Sequence, residues 1–426
     1  MATLKDSNTG WLGKIPDSWN LSKINSIYEL RNTKVSDYDY EPLSVTMQGI
    51  LPQLESAAKT DAHDDRKLVK KGDFVINSRS DRRGSCGVSP YDGSVSLINT
   101  VLQPLDEMNP DYYNWLFHTT QFADEFFRWG HGIVADLWTT NWQDMKNIDI
   151  PVPTLEEQEI IAKYLDDVIP EIEGLICDIG NQISTLDEYK KSIIAEKVTK
   201  GLNQNAEMKD SGVEEIGKIP VHWKVKRAKY VCDSLSKGNG ITKEDVIEGG
   251  DIQCVRYGEI YSRYDAAFVQ CVSSTDLDRI SSPKFISKGD ILFAGTGELI
   301  EEIGKNIVYM GEERCLAGGD IIIMKHSQNP IFLNYAMNCS CSQVQKSKGK
   351  AKLKVVHASS TDIGNVYIAL PPKKEQKEIS DYLEAICEEI NHAIEEKENQ
   401  IDILEEYKKA VIFEYVTGKK EVPSNA

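Results

Sequence analysis

The chain repeats itself, and the repeat restricts it to folds that can be built twice. Gly-Lys-Ile-Pro followed by Trp three residues later occurs at 13–19 and again at 217–223. A longer repeat begins at Pro153 (PTLEEQEIIAKYLDDVIPEI) and at Pro371 (PPKKEQKEISDYLEAICEEI) and aligns without a gap. Its identities include Gln158/Gln376, Tyr164/Tyr382, Leu165/Leu383, Asn181/Asn399, Tyr189/Tyr407, Lys190/Lys408 and Thr199/Thr417. Between these landmarks the copies diverge, with echoes only at Lys71-Gly72-Asp73 and Lys288-Gly289-Asp290 and at Asn109-Pro110 and Asn329-Pro330. A tandem duplication of one unit, with alike ends and unlike middles, accounts for this pattern.

The repeat sets the expected boundaries: a globular part over 1–150, a helix over 151–200, a linker over 201–216, a second globular part over 217–370, a second helix over 371–418 and a tail over 419–426. Thr154-Leu-Glu-Glu157 has the form of a capping box. Leu165, Ile172, Ile179, Leu186 and Ile193 recur every seven residues, with Val168, Leu175, Gln182 and Tyr189 assigned to the other seam position. The second copy supplies Leu383, Ile390, Lys397, Leu404 and Val411, with Ile386, Ala393, Gln400 and Tyr407 and a stripe widened by Ile394 and Ile401. Two such helices pair most simply with each other, antiparallel, as a rod of roughly 60 Å at ~1.5 Å per residue. Pro170 is expected to kink or split the first. Each globular part reads as α+β with a mainly antiparallel, curved sheet, and Asp111–Trp129 reads as one helix.

The net charge of −18 argues against a nucleic-acid binder only while its distribution is ignored. Residues 217–370 hold 20 basic and 17 acidic side chains, whereas residues 151–200 hold 5 and 11. Two basic stretches stand out. Lys346, Lys348, Lys350, Lys352 and Lys354 alternate, which on a strand would align five ammonium groups along one face toward phosphates. Arg79, Arg82 and Arg83 follow a strand and are expected on a loop able to reach base edges. Thr46 and Gln48 align with Arg256 and Tyr257 near the start of each part, adding candidates for DNA contact. A solvated edge strand and a polar loop are the plainer alternatives.

Enzyme signatures are weak. Phe293-Ala-Gly295-Thr-Gly297 and Asn109-Pro-Asp-Tyr112 imitate methyltransferase motifs, but in reversed order and without the second Pro. Gly304-Lys305 lacks the spacing of a phosphate-binding loop. Nine scattered Cys with no C-x-x-C give no zinc or disulfide framework, so a reducing cytoplasm is expected. There is no apolar run long enough for a membrane span, and Met-Ala-Thr-Leu-Lys-Asp-Ser is not expected to act as a secretion signal.

Gly13-Lys-Ile-Pro16…Trp19 before a variable part, then Pro151-Val-Pro153…Glu157-Gln158 opening a long helix, then the whole unit again, resembles the specificity (S) subunit of type I restriction–modification systems. The resemblance implies two tandem target recognition domains separated by two long antiparallel coiled-coil helices with pseudo-twofold symmetry. It implies a non-catalytic, cytoplasmic subunit that binds a bipartite, asymmetric sequence in double-stranded DNA. The helices would set the spacer and dock two methyltransferase (M) subunits. Repetition at matching positions adds Tyr164, Tyr189, Tyr382 and Tyr407, with the non-seam positions, as candidate contacts, and core packing is the alternative for each. Restriction/translocase (R) subunits would join. No cofactor is expected in this chain; S-adenosylmethionine, ATP and Mg2+ are expected in the partners. Alternatives are a coiled-coil protein scaffold and a DNA methyltransferase in its own right.

Overall fold

The computed structural model describes residues 3–54, 63–105, 108–133, 138–297, 299–350 and 356–423, and Lys352 and Lys354 lie outside these described residues. The chain forms two compact units, Met1–Gly180 with Glu398–Ala426 and Asn181–Lys397. Each unit therefore combines one globular part with half of each long helix.

In the first unit, Cys86–Val88, Phe74–Asn77, Asn99–Pro104 and Tyr28–Leu30 form an antiparallel sheet in that order. Gly93–Ser96, Arg66–Val69 and Lys34–Val35 form a second, and Leu43–Thr46 with Gly49–Pro52 a hairpin. In place of one helix over Asp111–Trp129 there are two, Pro110–Phe117 and Thr120–Arg128. The break falls at Thr119, whose hydroxyl accepts from the Phe122 N–H and caps the second helix. Phe74, Phe117, Phe122, Tyr112 and Tyr113 fill the core between helices and sheet.

In the second unit, Cys232–Lys237, Ile321–His326, Ile291–Ala294, Asn306–Tyr309 and Ala267–Phe268 form a five-stranded sheet. Ser273–Thr275, Ile252–Val255, Cys315–Ala317 and Phe285–Ile286 form a four-stranded one. Pairing is antiparallel except between Ala267–Phe268 and Asn306–Tyr309 and between Ile252–Val255 and Cys315–Ala317. The expectation of mainly antiparallel sheets therefore holds, with two parallel pairs added in this unit.

The long helices run over Leu155–Lys200 and Lys373–Val416. Pro170 lies inside the first without splitting it. Within the first unit, Tyr164 meets Tyr415 (ring centroids 4.6 Å apart) and Glu173 meets Lys408 (3.4 Å). Within the second, Lys190 donates to Asn391 (2.6 Å) and Lys397 to Gln182 (2.5 Å). In each case one residue number falls as the other rises, so the helices pair antiparallel.

The seam differs from the expected one by a single position. Leu165, Ile169, Ile172, Ile176, Ile179, Ile183 and Leu186 are buried or half-buried, while Leu175 and Tyr189 are more than half exposed. In the second helix Cys387, Ile394, Ile401, Lys408 and Tyr415 face inward, not Gln400 or Tyr407. A period of seven is met by steps of three-then-four and of four-then-three, and burial selects the latter. Removing the ring of Pro170 restores one N–H to a helix interior. Pro170→Ala is thus expected to stabilise the chain, by up to about 3 kcal/mol; an unchanged urea midpoint would show that the missing bond carries no penalty here.

The repeated end motifs meet in one clip per unit. Trp19 Nε1 donates to Glu157 (3.1 Å) and Trp223 Nε1 to Glu375 (2.8 Å). Gln158 and Gln376, both buried, donate to the Pro153 and Pro371 carbonyls (each 2.9 Å) and accept from the Asn109 and Asn329 main-chain N–H (2.8 and 3.0 Å). Asn109 and Asn329 in turn cap the helices that start at Pro110 and Pro330. Burial works against the Glu157 charge, but the Thr154 N–H and hydroxyl and the Trp19 N–H hold its carboxyl below the usual range. The far helix ends arrive at the same tryptophans. Gly418 (φ +66°) and Gly201 (φ +77°) sit against Trp19 and Trp223, where an added Cβ would lie 2.9 and 3.1 Å from the ring.

Candidate nucleic-acid interface

In the first unit the strand Phe74–Asn77 ends at a short 3-10 turn, Ser80–Arg82. The hairpin of Leu43–Thr46 and Gly49–Pro52 closes with Thr46 Oγ1 donating to the Gly49 carbonyl (2.9 Å) and accepting from the Gln48 N–H (3.1 Å). These elements bring Thr46, Arg79 and Arg82 to one concave surface, floored by Asn77, Asn99 and the buried Arg66. Arg66 donates to Ser94 Oγ (2.8 Å) and to the Ser94 carbonyl (3.0 Å), and burial pulls its pKa down. Gln48 is exposed on the hairpin turn. Arg83 turns the other way, paired with Asp124 and lying 4.7 Å over the Phe127 ring.

The second unit builds a groove from the same stretch of the repeat with other residues. Arg256 and Tyr257, at the start of the helix Tyr257–Ser262, line it together with Lys243, Arg263 and Asp320. Beneath Arg256 lies Glu259, 4% exposed. Where the first unit has Arg79–Arg83, the second has the 3-10 turn Ile300–Glu302, which is acidic. Lys243 and Arg263 were not among the residues the sequence singled out, nor were Arg66 and Asn77. The proximity of Arg263 to Arg256 in sequence was the one available signal.

Among the described residues, Lys346, Lys348 and Lys350 do not form a row. Lys346 lies in the last turn of the helix Ser340–Ser347 and is 1% exposed, with Nζ donating to the Gly304 carbonyl (2.7 Å). Lys348 pairs with Glu215 (2.9 Å), and Lys350 with Asp362 (3.0 Å) and the His357 carbonyl (2.6 Å). Lys346 sits on a helix, and Gly349 between Lys348 and Lys350 is in the left-handed region (φ +76°), so the extended period of two that the strand expectation needed is broken here. Lys346 is thus an internal group, and Lys348 and Lys350 are already partnered.

Burial pushes the Lys346 pKa down to about 7. Between that value and the ordinary range near 10.5 the unfolded chain binds the extra proton, so stability rises with pH across this window. The rise is expected to be on the order of a few kcal/mol and to vanish in Lys346→Met. Loss of the donor to Gly304 adds a pH-independent offset of about 1–3 kcal/mol. Urea midpoints at pH 7 and 9 test this, with the neighbouring Cys339 replaced by alanine in both proteins. Equal slopes would show that Lys346 is not the source.

The enzyme-like motifs have structural explanations. Asn109-Pro110 is a helix cap, and Gly295-Thr296-Gly297 carries a two-residue strand paired with Val356–His357. No helix is long and apolar enough to cross a membrane among the described residues.

Residues 16–183 and 220–402 match the family described as the type I restriction modification DNA specificity domain, and the chain belongs to that family. It is 25% identical over 427 residues to the MjaVIII type I restriction enzyme specificity subunit of Methanocaldococcus jannaschii, covering 96% of this chain and 94% of that one. With the EcoKI specificity subunit of Escherichia coli it shares 22% over 427 residues, covering 90% and 86%. A chain from a structure of type I R-M complex assembly and conformational transition superposes with a TM-score of 0.72 at 16% identity, over 95% of this chain and 99% of that one. The HsdS subunit of Thermoanaerobacter tengcongensis gives 0.51 at 16% identity, over 95% and 98%. The expected fold, two α+β parts read from the repeat and taken as recognition domains from the resemblance, with two long helices, is that of these structural neighbours.

Proposed function

We propose that this chain is the DNA-reading, non-catalytic subunit of a type I restriction–modification complex, recognising a bipartite asymmetric target. The observation that carries this is the contrast between clip and groove. Both units share the Trp–Glu and Gln–Asn bonds of the clip. Their grooves present different side chains, Thr46, Arg79 and Arg82 in one and Lys243, Arg256, Tyr257 and Arg263 in the other. Invariant frames with variable readers suit two unlike half-sites, because base contacts specify and phosphate contacts position. Exposed Tyr189, Tyr382 and Tyr407 on the long helices are the proposed contacts for M subunits, whereas Tyr164 is engaged with Tyr415. R subunits complete the cytoplasmic complex in this reading, and S-adenosylmethionine, ATP and Mg2+ are held by the partners.

Methylome sequencing of a host expressing this chain with its cognate M subunit tests the proposal. A bipartite methylated motif is expected, altered in one half only when residues 13–150 are exchanged. An assembled, active complex that yields no such motif would end the DNA-reading claim. Substituting Arg79 and Arg82 together by alanine is expected to weaken discrimination in the first half by about 1–3 kcal/mol per lost base contact. A second half altered instead would assign the two grooves wrongly.

A further inference from the structure

We propose that Arg256 reads a guanine in the second half of the target, and that the buried Glu259, itself bonded by the half-buried Ser273, holds its guanidinium in the reading position. The inference rests on the DNA-reading function proposed above and names the residue and base within it.

Glu259 Oε1 accepts from Arg256 Nε (2.9 Å) and from the Ser273 hydroxyl (2.6 Å), and Arg256 Nη2 lies in ion-pair contact with it at 2.9 Å. Its Oε2 accepts from the Arg256 main-chain N–H (3.1 Å). The carboxylate thus grips both the backbone and the inner edge of one arginine. With Nε–H spent on the carboxylate and Nη2 beside it, the Nη1 donors and the outward N–H of Nη2 are left over. They lie on the outer edge of the plane, a two-nitrogen fork. Guanine offers the matching pair of acceptors, O6 and N7, in the major groove.

Burial separates this arrangement from a plain internal ion pair. The Glu259 side chain is 6% exposed, but that of Arg256 is 30% exposed and lines the groove beside Lys243 and Arg263. Pairing with a carboxylate cancels much of the field that would draw a phosphate, yet leaves the direction of the remaining donors fixed. Such a group is a poor phosphate anchor and a well-oriented base reader. Ser273 belongs to the edge strand Ser273–Thr275, so the sheet itself fixes the far side of the carboxylate. In the first unit the corresponding stretch is Thr46-Met47-Gln48, which carries no arginine, so the two halves are read differently there.

The test is the methylome of the full chain with its M subunit, comparing the natural sequence with Arg256→Lys, Glu259→Gln and Ser273→Ala. The half read by the second unit is expected to contain a G·C pair at one fixed position. Arg256→Lys keeps the charge but loses the fork, and is expected to relax preference at that position by about 10- to 100-fold. Glu259→Gln relaxes the same position by a smaller factor, and Ser273→Ala by less still, with the first half unchanged throughout. A second half without a fixed G·C pair, or unaltered in Arg256→Lys, would overturn the inference while leaving the bipartite reading intact. Uniform loss of methylation with an unchanged motif would also overturn it, making the pair a structural tie. Absence of any bipartite motif from the natural complex would instead defeat the underlying function.

Discussion

Replacing Trp223 by alanine is expected to lower stability by about 3–5 kcal/mol, the range for emptying a large buried aromatic site. Trp223 has no exposed surface and belongs to the core that includes Val198, Ile219, Ile368 and Leu383. Three segments meet on it: the Gly-Lys-Ile-Pro entry, the start of the second long helix through Glu375, and the end of the first through Gly201. Collapse around the hole is hindered, because each segment is also pinned elsewhere. Lys209 donates to the Val221 and Trp223 carbonyls (both 2.7 Å), and Gln376 clips Asn329. Trp223→Phe keeps much of the volume and loses only the N–H bond to Glu375, which retains His222 as a partner at 2.7 Å. That variant is expected to lose about 1–2 kcal/mol. Equilibrium urea unfolding separates the two. An alanine variant within 1 kcal/mol of the natural chain would show that the tryptophan fills space without holding the segments together.

The repeated residues were legible because each does a job visible at sequence level: a cap, a proline start, a seven-residue period. The clip explains why Trp, Glu, Gln and Asn-Pro recur together, since each bonds another. The duplication also begins earlier than the Gly-Lys-Ile-Pro frame. Lys5-Asp6-Ser7 returns as Lys209-Asp210-Ser211, and Lys5 donates to the Asp17 and Trp19 carbonyls (2.7 and 2.6 Å) as Lys209 does to Val221 and Trp223. The seam was misplaced by one step because lysines occupy true seam positions, Lys190 and Lys408, while apolar Leu175 lies outside. Their amines reach polar partners at the edge, so stem burial rather than residue type decided the register. Lys346 departs from the expected lysine row for a related reason. A period of two predicts a strand only when nothing longer competes, and the helix Ser340–Ser347 competes. The grooves were legible only in part. Thr46 ends a strand of the hairpin while Arg79 follows a strand of the four-stranded sheet, and no local pattern announces that the two meet.

Asp73→Ala is expected to be the costliest single change on the path to the first groove, at about 3–5 kcal/mol. Asp73 is 2% exposed and accepts from Arg31 Nε (2.6 Å) and Nη2 (3.0 Å) and from the Lys70 N–H (2.8 Å). Truncation leaves a guanidinium with 20% side-chain exposure without its carboxylate, and opens a turn that depends on Gly72 at φ +92°. The strand that follows, Phe74–Asn77, runs directly to Arg79, so loosening the turn loosens the reading loop. The duplicate supplies an internal control. Asp290 caps the matching turn through the Ser287 N–H (2.9 Å), but its cation is Lys325, 44% exposed and 3.1 Å away. Water can replace an exposed partner far more readily than a buried one, so Asp290→Ala is expected to cost only about 1–2 kcal/mol. Removing both charges, in Arg31→Met with Asp73→Asn, should recover part of the Asp73→Ala loss, because no unpaired ion then remains inside. Thermal unfolding of these three variants beside the natural chain decides the matter. If Asp73→Ala and Asp290→Ala are equally mild, the turn geometry alone holds the frame and the ion pair adds nothing; if the double variant is worse than Asp73→Ala, the stranded arginine is not what makes the single change costly.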